Sequence, residues 1–142
     1  MSRCLIVENS AVIRRVTRTI MINLGFEVDE AATGRDGVEA FNRRIPRLAI
    51  VDAGLSDMPA LDVLRQMRKL GGGRVQILYC TTQFDVLELQ RAHAAGATDL
   101  LVKPFDRQSL SAKLDAWQTS EQEMPRENFY NRLSRSEIIR NV

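Results

Sequence analysis

The chain has 142 residues, 44% of them hydrophobic, and a formal net charge of +2. This length and apolar content suit one core with a short appendage rather than two domains, and so small a charge gives no support to non-specific polyanion binding, although local clustering could still make a basic patch. Both cysteines, Cys4 and Cys80, fall in apolar runs as small buried hydrophobes would in a reducing compartment, and there is no disulfide framework. The N-terminus enters a strand pattern directly, without a signal-like stretch, and no run is long enough to span a membrane; a cytoplasmic protein is expected.

In chain order, Cys4-Leu5-Ile6-Val7 reads as a first buried strand. Ser10 can cap a helix over 11–24, with Ile13, Val16, Ile20 and Leu24 at helical spacing and Gly25 just past its end. Arg14, Arg15 and Arg18 lie largely off that stripe. Residues 26–31 alternate like a strand, and Thr33 can cap a short helix through Val38 and Phe41. Residues 42–46 return the chain to a strand, Leu48-Ala49-Ile50-Val51, closed by Asp52. A loop over 54–59 leads to a helix carrying Leu61, Leu64 and Met67, and Gly71-Gly72-Gly73 reads as a connection. A fourth strand over 75–80, a helix over 84–95 ending at Gly96, a strand at Leu100-Leu101-Val102, and a last helix starting at Asp106 or Ser109 and passing Leu110, Leu114 and Trp117 complete the alternation. This βα repetition predicts a parallel sheet covered by helices, because parallel strands need crossover connections.

The strand ends share one chemistry. Open α/β sheets bind ligands outside the carboxyl ends of their strands, where strand order reverses. Here those ends deliver Glu8-Asn9, Asp52, Thr81-Thr82 and Lys103-Pro104 to one rim. A carboxylate such as Asp52 can attack a phosphoryl group and form an acyl phosphate if the charge on the equatorial oxygens is neutralised. The Lys103 ammonium, a hydroxyl such as that of Thr81, and an oxygen-bound Mg²⁺ could supply that neutralisation.

These residues and their order resemble the response-regulator receiver domains of the CheY type. The carriers are Val7-Glu8-Asn9-Ser10-Ala11-Val12-Ile13-Arg14-Arg15, Val51-Asp52, Thr81-Thr82 and Val102-Lys103-Pro104-Phe105, across about the first 118 residues. The resemblance implies a five-stranded, doubly wound, flavodoxin-like sheet of order 2-1-3-4-5 with a C-terminal extension. It implies Asp52 as phosphoacceptor with Thr81 and Lys103 as its partners. It also implies a metal site at Glu8, Asn9, Asp52 and the backbone carbonyl of Gly54. Receivers usually carry two acidic residues where this chain has Glu8-Asn9, so weaker Mg²⁺ binding is expected. They commonly carry an aromatic ring where this chain has Leu100, and a loop proline in place of Ser56.

Beyond Trp117 the grammar changes. The expected division is a receiver domain over 1–118, a polar linker over 119–125 ending at Pro125, and an arginine-containing tail over 126–142. From Gln118 onward there are four arginines and four glutamates, a balance that argues against a polyanion arm. Arginine forks bind phosphate and the guanine edge, and aromatic faces stack on purines. Arg126, Arg132, Arg135 and Arg140 with Phe129 and Tyr130 therefore suit a guanine dinucleotide. In this the chain is similar to the Cle group, CheY-like proteins with an arginine-rich stretch that bind cyclic di-GMP and act on the flagellar motor.

The expected function is that of a non-enzymatic, single-domain response regulator acting by protein–protein interaction. It would be a cyclic di-GMP-responsive adaptor for the flagellar motor switch, placed in the cytoplasm and at the flagellar pole. The alternative is a stand-alone phosphoreceiver or phosphate sink in a two-component phosphorelay fed by a histidine kinase. No helix-turn-helix follows the receiver pattern, so DNA is not an expected partner.

Overall fold

The computed structural model describes residues 2–83 and 85–120. Five strands, β1 (Arg3–Val7), β2 (Glu27–Ala31), β3 (Leu48–Asp52), β4 (Gln76–Thr81) and β5 (Asp99–Val102), alternate with α1 (Ala11–Asn23), α2 (Gly34–Arg43), α3 (Ala60–Gly71), α4 (Val86–Ala95) and α5 (Arg107–Ser120). The strands form one sheet in the order β2-β1-β3-β4-β5, and every pairing is parallel. This is the flavodoxin-like order expected from the sequence. The chain passes from β1 to an edge at β2 and back across β1 to β3, so the order reverses between β1 and β3.

The chain divides into a unit ending at Pro104, which holds the whole sheet, and a second beginning at Phe105, of which α5 is described. In the first unit Leu48 to Asp52 are buried throughout, as a central parallel strand covered on both faces requires. Leu5, Ile6, Ile77, Leu78 and Leu100 join them in the core, with Phe41, Leu64, Met67 and Leu89 from the helices.

Local signals set the helix ends. The Ser10 hydroxyl accepts from the Ile13 N–H at 3.3 Å, and the Thr33 hydroxyl accepts from the Asp36 N–H at 3.0 Å, both as N-caps. Gly25, at φ +96°, takes the left-handed turn after α1 that a side chain would resist. The expected start of α4 at Phe84 is corrected to Val86, because Asp85 caps the helix with its carboxylate on the Leu87 N–H at 2.9 Å. α2 runs on to Arg43, into the stretch read as a return loop. Residues 72–74 form a 3-10 turn rather than a plain connection. β4 extends to Thr81, whose carbonyl accepts from the Lys103 N–H at 2.8 Å and so prolongs the ladder. In the second unit the two candidate starting residues of α5 act together: the Asp106 N–H donates to the Ser109 hydroxyl at 3.0 Å and the Ser109 N–H to the Asp106 carboxylate at 2.9 Å. Such reciprocal bonding satisfies two donors at the helix start. α5 continues through Ser120, two residues into the expected linker.

Candidate functional site

The strand order brings Glu8, Asp52 and Lys103 to the carboxyl edge of the sheet. Glu8 follows β1, Asp52 ends β3 and Lys103 follows β5. The Lys103 ammonium donates to Asp52 Oδ1 at 2.5 Å and to Glu8 Oε1 at 2.6 Å. Glu8 and Asp52 are only 4% and 6% exposed, so two carboxylates share one cation away from bulk water. Burial pulls the Lys103 ammonium down, but its hydrogen bonds to Asp52 and Glu8 outweigh that, and its pKa lies above the ordinary lysine value.

The remaining carboxylate oxygens are held by backbone. Glu8 Oε2 accepts from the Ser10 N–H at 3.1 Å, at the start of α1, where the helix dipole favours negative charge. Asp52 Oδ2 accepts from the Gly54 N–H at 3.2 Å. A Cβ on Gly54 would stand 3.3 Å from that same oxygen, so glycine leaves the acceptor side of Asp52 clear. The turn carrying Glu8 is braced from α1, because Arg14 Nη1 donates to the Glu8 carbonyl at 2.7 Å and Arg14 Nε pairs with Glu30 at 3.4 Å.

A cleft of about 340 Å³ opens at this edge, lined by Asp52, Ala53, Gly54, Thr81, Thr82, Gln83, Glu88 and Lys103. Thr81 is buried on its wall, and its hydroxyl exchanges hydrogen bonds with the Gln83 backbone, accepting from N–H at 3.2 Å and donating to the carbonyl at 3.3 Å. Asn9 is exposed beside Glu8. Residue reading missed Glu88, which enters the cleft from the first turn of α4 and accepts from the Tyr79 hydroxyl at 2.7 Å. Burial first, and then that bond, push the Tyr79 phenol above its ordinary range. A glutamate in the first helical turn is a common N-terminal signal, and only the fold shows that it borders this cleft. The tail residues Arg126, Phe129, Tyr130, Arg132, Arg135 and Arg140 lie outside the described residues.

The donors suit a hard cation. Glu8 and Asp52 present carboxylate oxygens to a single positive charge, and Gly54 leaves room beside Asp52. Among the described residues no three His, Cys, Asp or Glu side chains gather into a cage. Mg²⁺ is compatible with such a site because it retains several waters and rests on one or two carboxylates.

The family described as response regulator receiver domain matches residues 4–115, and the chain belongs to it. It is 31% identical over 104 residues to the chemotaxis protein CheY of Thermotoga maritima, a match covering 72% of this chain and 86% of that protein. It is 33% identical over 104 residues to the luminescence regulatory protein LuxO of Vibrio campbellii, covering 73% of this chain but only 23% of that longer relative. Among solved structures, the receiver domain of the sensor histidine kinase PA1611 from Pseudomonas aeruginosa has a magnesium ion coordinated in its active-site cleft. It superposes with a TM-score of 0.75 at 28% identity, over 84% of this chain and 98% of that one.

Proposed function

We propose that this chain is a phosphoreceiver in which Asp52 accepts a phosphoryl group from a phosphohistidine donor. The observation that carries this reading is the Lys103 ammonium bridging Asp52 and Glu8 at the rim of an open cleft. An Asp52 carboxylate oxygen attacks phosphorus, the O–P bond forms, the P–N bond to the donor breaks, and the imidazole nitrogen leaves with the electron pair. Lys103 stays protonated through this step and lies against the developing charge. Thr81 lines the same cleft, and its hydroxyl would donate to a phosphoryl oxygen once released from Gln83. Glu8, Asn9, Asp52 and the Gly54 carbonyl would hold a Mg²⁺ ion, which would supply a second positive charge for the phosphoryl oxygens. A gain of one phosphoryl mass on incubation with a small phosphodonor and Mg²⁺, lost in Asp52→Asn, tests the assignment.

The output of such a domain is binding, to a motor switch protein or another partner in the cytoplasm. A second reading keeps the tail as a cyclic di-GMP site: four arginines with Phe129 and Tyr130 offer phosphate forks and stacking faces. On this reading the receiver over 1–118, the linker over 119–125 and the tail over 126–142 make a nucleotide-responsive adaptor for the flagellar motor at the cell pole. Binding of guanine nucleotides to full-length protein tests it.

A further inference from the structure

Leu100 is fully buried on β5, and its side chain has no polar atom. Its register partner on β4 is Tyr79. Register partners in a parallel sheet project to the same face, and residues two apart on one strand do so as well. Tyr79 therefore stands on the face shared by Leu100 and Thr81, one strand nearer to Asp52. Tyr79 is 3% exposed, and its hydroxyl donates to Glu88 Oε1 at 2.7 Å. Glu88 lines the same cleft as Asp52, Thr81 and Lys103.

We propose that Tyr79 and Glu88 form a latch holding the first turn of α4 on the sheet, released when a phosphoryl group occupies the Asp52 cleft. The inference rests on the phosphoreceiver reading and adds its conformational route. A phosphoryl group adds negative charge to a cleft that already contains the Glu88 carboxylate and a single lysine, so like-charge repulsion acts on Glu88. Thr81, drawn to the phosphoryl oxygens, gives up its bonds to Gln83, and the loop leading into α4 loses its tether. The released turn carries Val86 and Leu87, which are 51% and 52% exposed, so the event changes an apolar surface.

The two members of the latch separate its parts. Tyr79→Phe keeps the ring and removes the donor. Glu88→Gln keeps an acceptor for Tyr79 and removes the charge. Amide NMR of the full chain, with and without beryllofluoride and Mg²⁺, reads both. In Tyr79→Phe without beryllofluoride, the Val86, Leu87 and Leu89 amides should already be displaced towards their wild-type bound positions, and the remaining shift should fall by at least half. In Glu88→Gln the unbound positions should match wild type, while the beryllofluoride shift of α4 should fall by a similar factor. Wild-type α4 positions and full responses in both variants overturn the latch and leave the phosphoreceiver reading standing. If beryllofluoride moves neither the Gly54, Thr81 nor Lys103 amides of wild-type protein, the phosphoreceiver reading falls and the latch with it.

Discussion

Lys103 holds two largely buried carboxylates at 2.5 and 2.6 Å, which gives it a structural role whatever its part in phosphoryl transfer. Removing one partner of a buried ion pair leaves uncompensated charge and costs about 3–5 kcal/mol. Lys103→Met should therefore lower stability in urea by about that amount near neutral pH. The pH dependence follows from the direction of its pKa. A lysine raised above its unfolded value contributes stability that is complete below that value and is lost as pH climbs through the folded one. The gap between wild type and Lys103→Met should hold across neutral pH and narrow only in strongly alkaline solution. A constant gap up to and beyond the folded pKa would contradict the pairing. At the neighbouring position, a pocket with a single carboxylate from the β1 end should bind Mg²⁺ weakly. Combining Glu8→Asp with Asn9→Asp should tighten it, and equal affinity in a Mg²⁺ titration counts against the acidic-pocket assignment.

Among the elements, α2 is seated by a missing side chain. A Cβ on Gly37 would meet Val7 Cγ2 at 2.7 Å and Cγ1 at 2.9 Å. Overpacking of this kind costs about 1–3 kcal/mol, more than the roughly 1 kcal/mol that alanine gains over glycine in a helix. Gly37→Ala should thus lower the urea midpoint, and adding Val7→Ala should cost less than the sum of the two single changes. Strict additivity in that cycle would mean that the close approach is relieved elsewhere. Element identity was legible because local punctuation marks it: Ser10 and Thr33 cap where their hydroxyls suggest, and Gly25 closes α1, although the buried residues of that helix are Thr17 and Met21 and Val16 of the expected stripe is 50% exposed. Boundaries were less legible where two signals compete. Phe84 looks like the first apolar residue of a helix, but the Asp85 carboxylate is the better cap. Asp52, Thr81 and Lys103 could be singled out because each stands at a strand end. The Tyr79–Glu88 bond could not, since helical period and strand alternation carry no record of which residue in the first turn of α4 faces which residue of β4.

On the scale of the whole molecule, reversal of strand order places residues 95 apart in sequence, Glu8 and Lys103, within one hydrogen bond. Both residues lie within the stretch 4–115 that matches the receiver family. If the tail binds cyclic di-GMP through Arg126, Arg132 and Arg135, calorimetry on the full chain should show saturable heat that vanishes on truncation after Pro125. Each charged contact is worth about 1.5–3 kcal/mol, so one Arg→Ala change should weaken binding roughly ten- to a hundred-fold. Lysine should rescue poorly, because it lacks the planar fork. Absence of heat at ligand concentrations of tens of micromolar removes the adaptor reading while leaving the Asp52 site untouched.

Phosphoryl transfer to Asp52 would leave a chemical mark that can be mapped directly. An acyl phosphate on aspartate is reduced by borohydride to homoserine, which marks the residue permanently. Full-length protein treated with a small phosphodonor and Mg²⁺, reduced and mapped by peptide mass spectrometry, should carry homoserine at position 52 and nowhere else. Homoserine at another carboxylate, or none under conditions that label a known receiver in the same experiment, would contradict it.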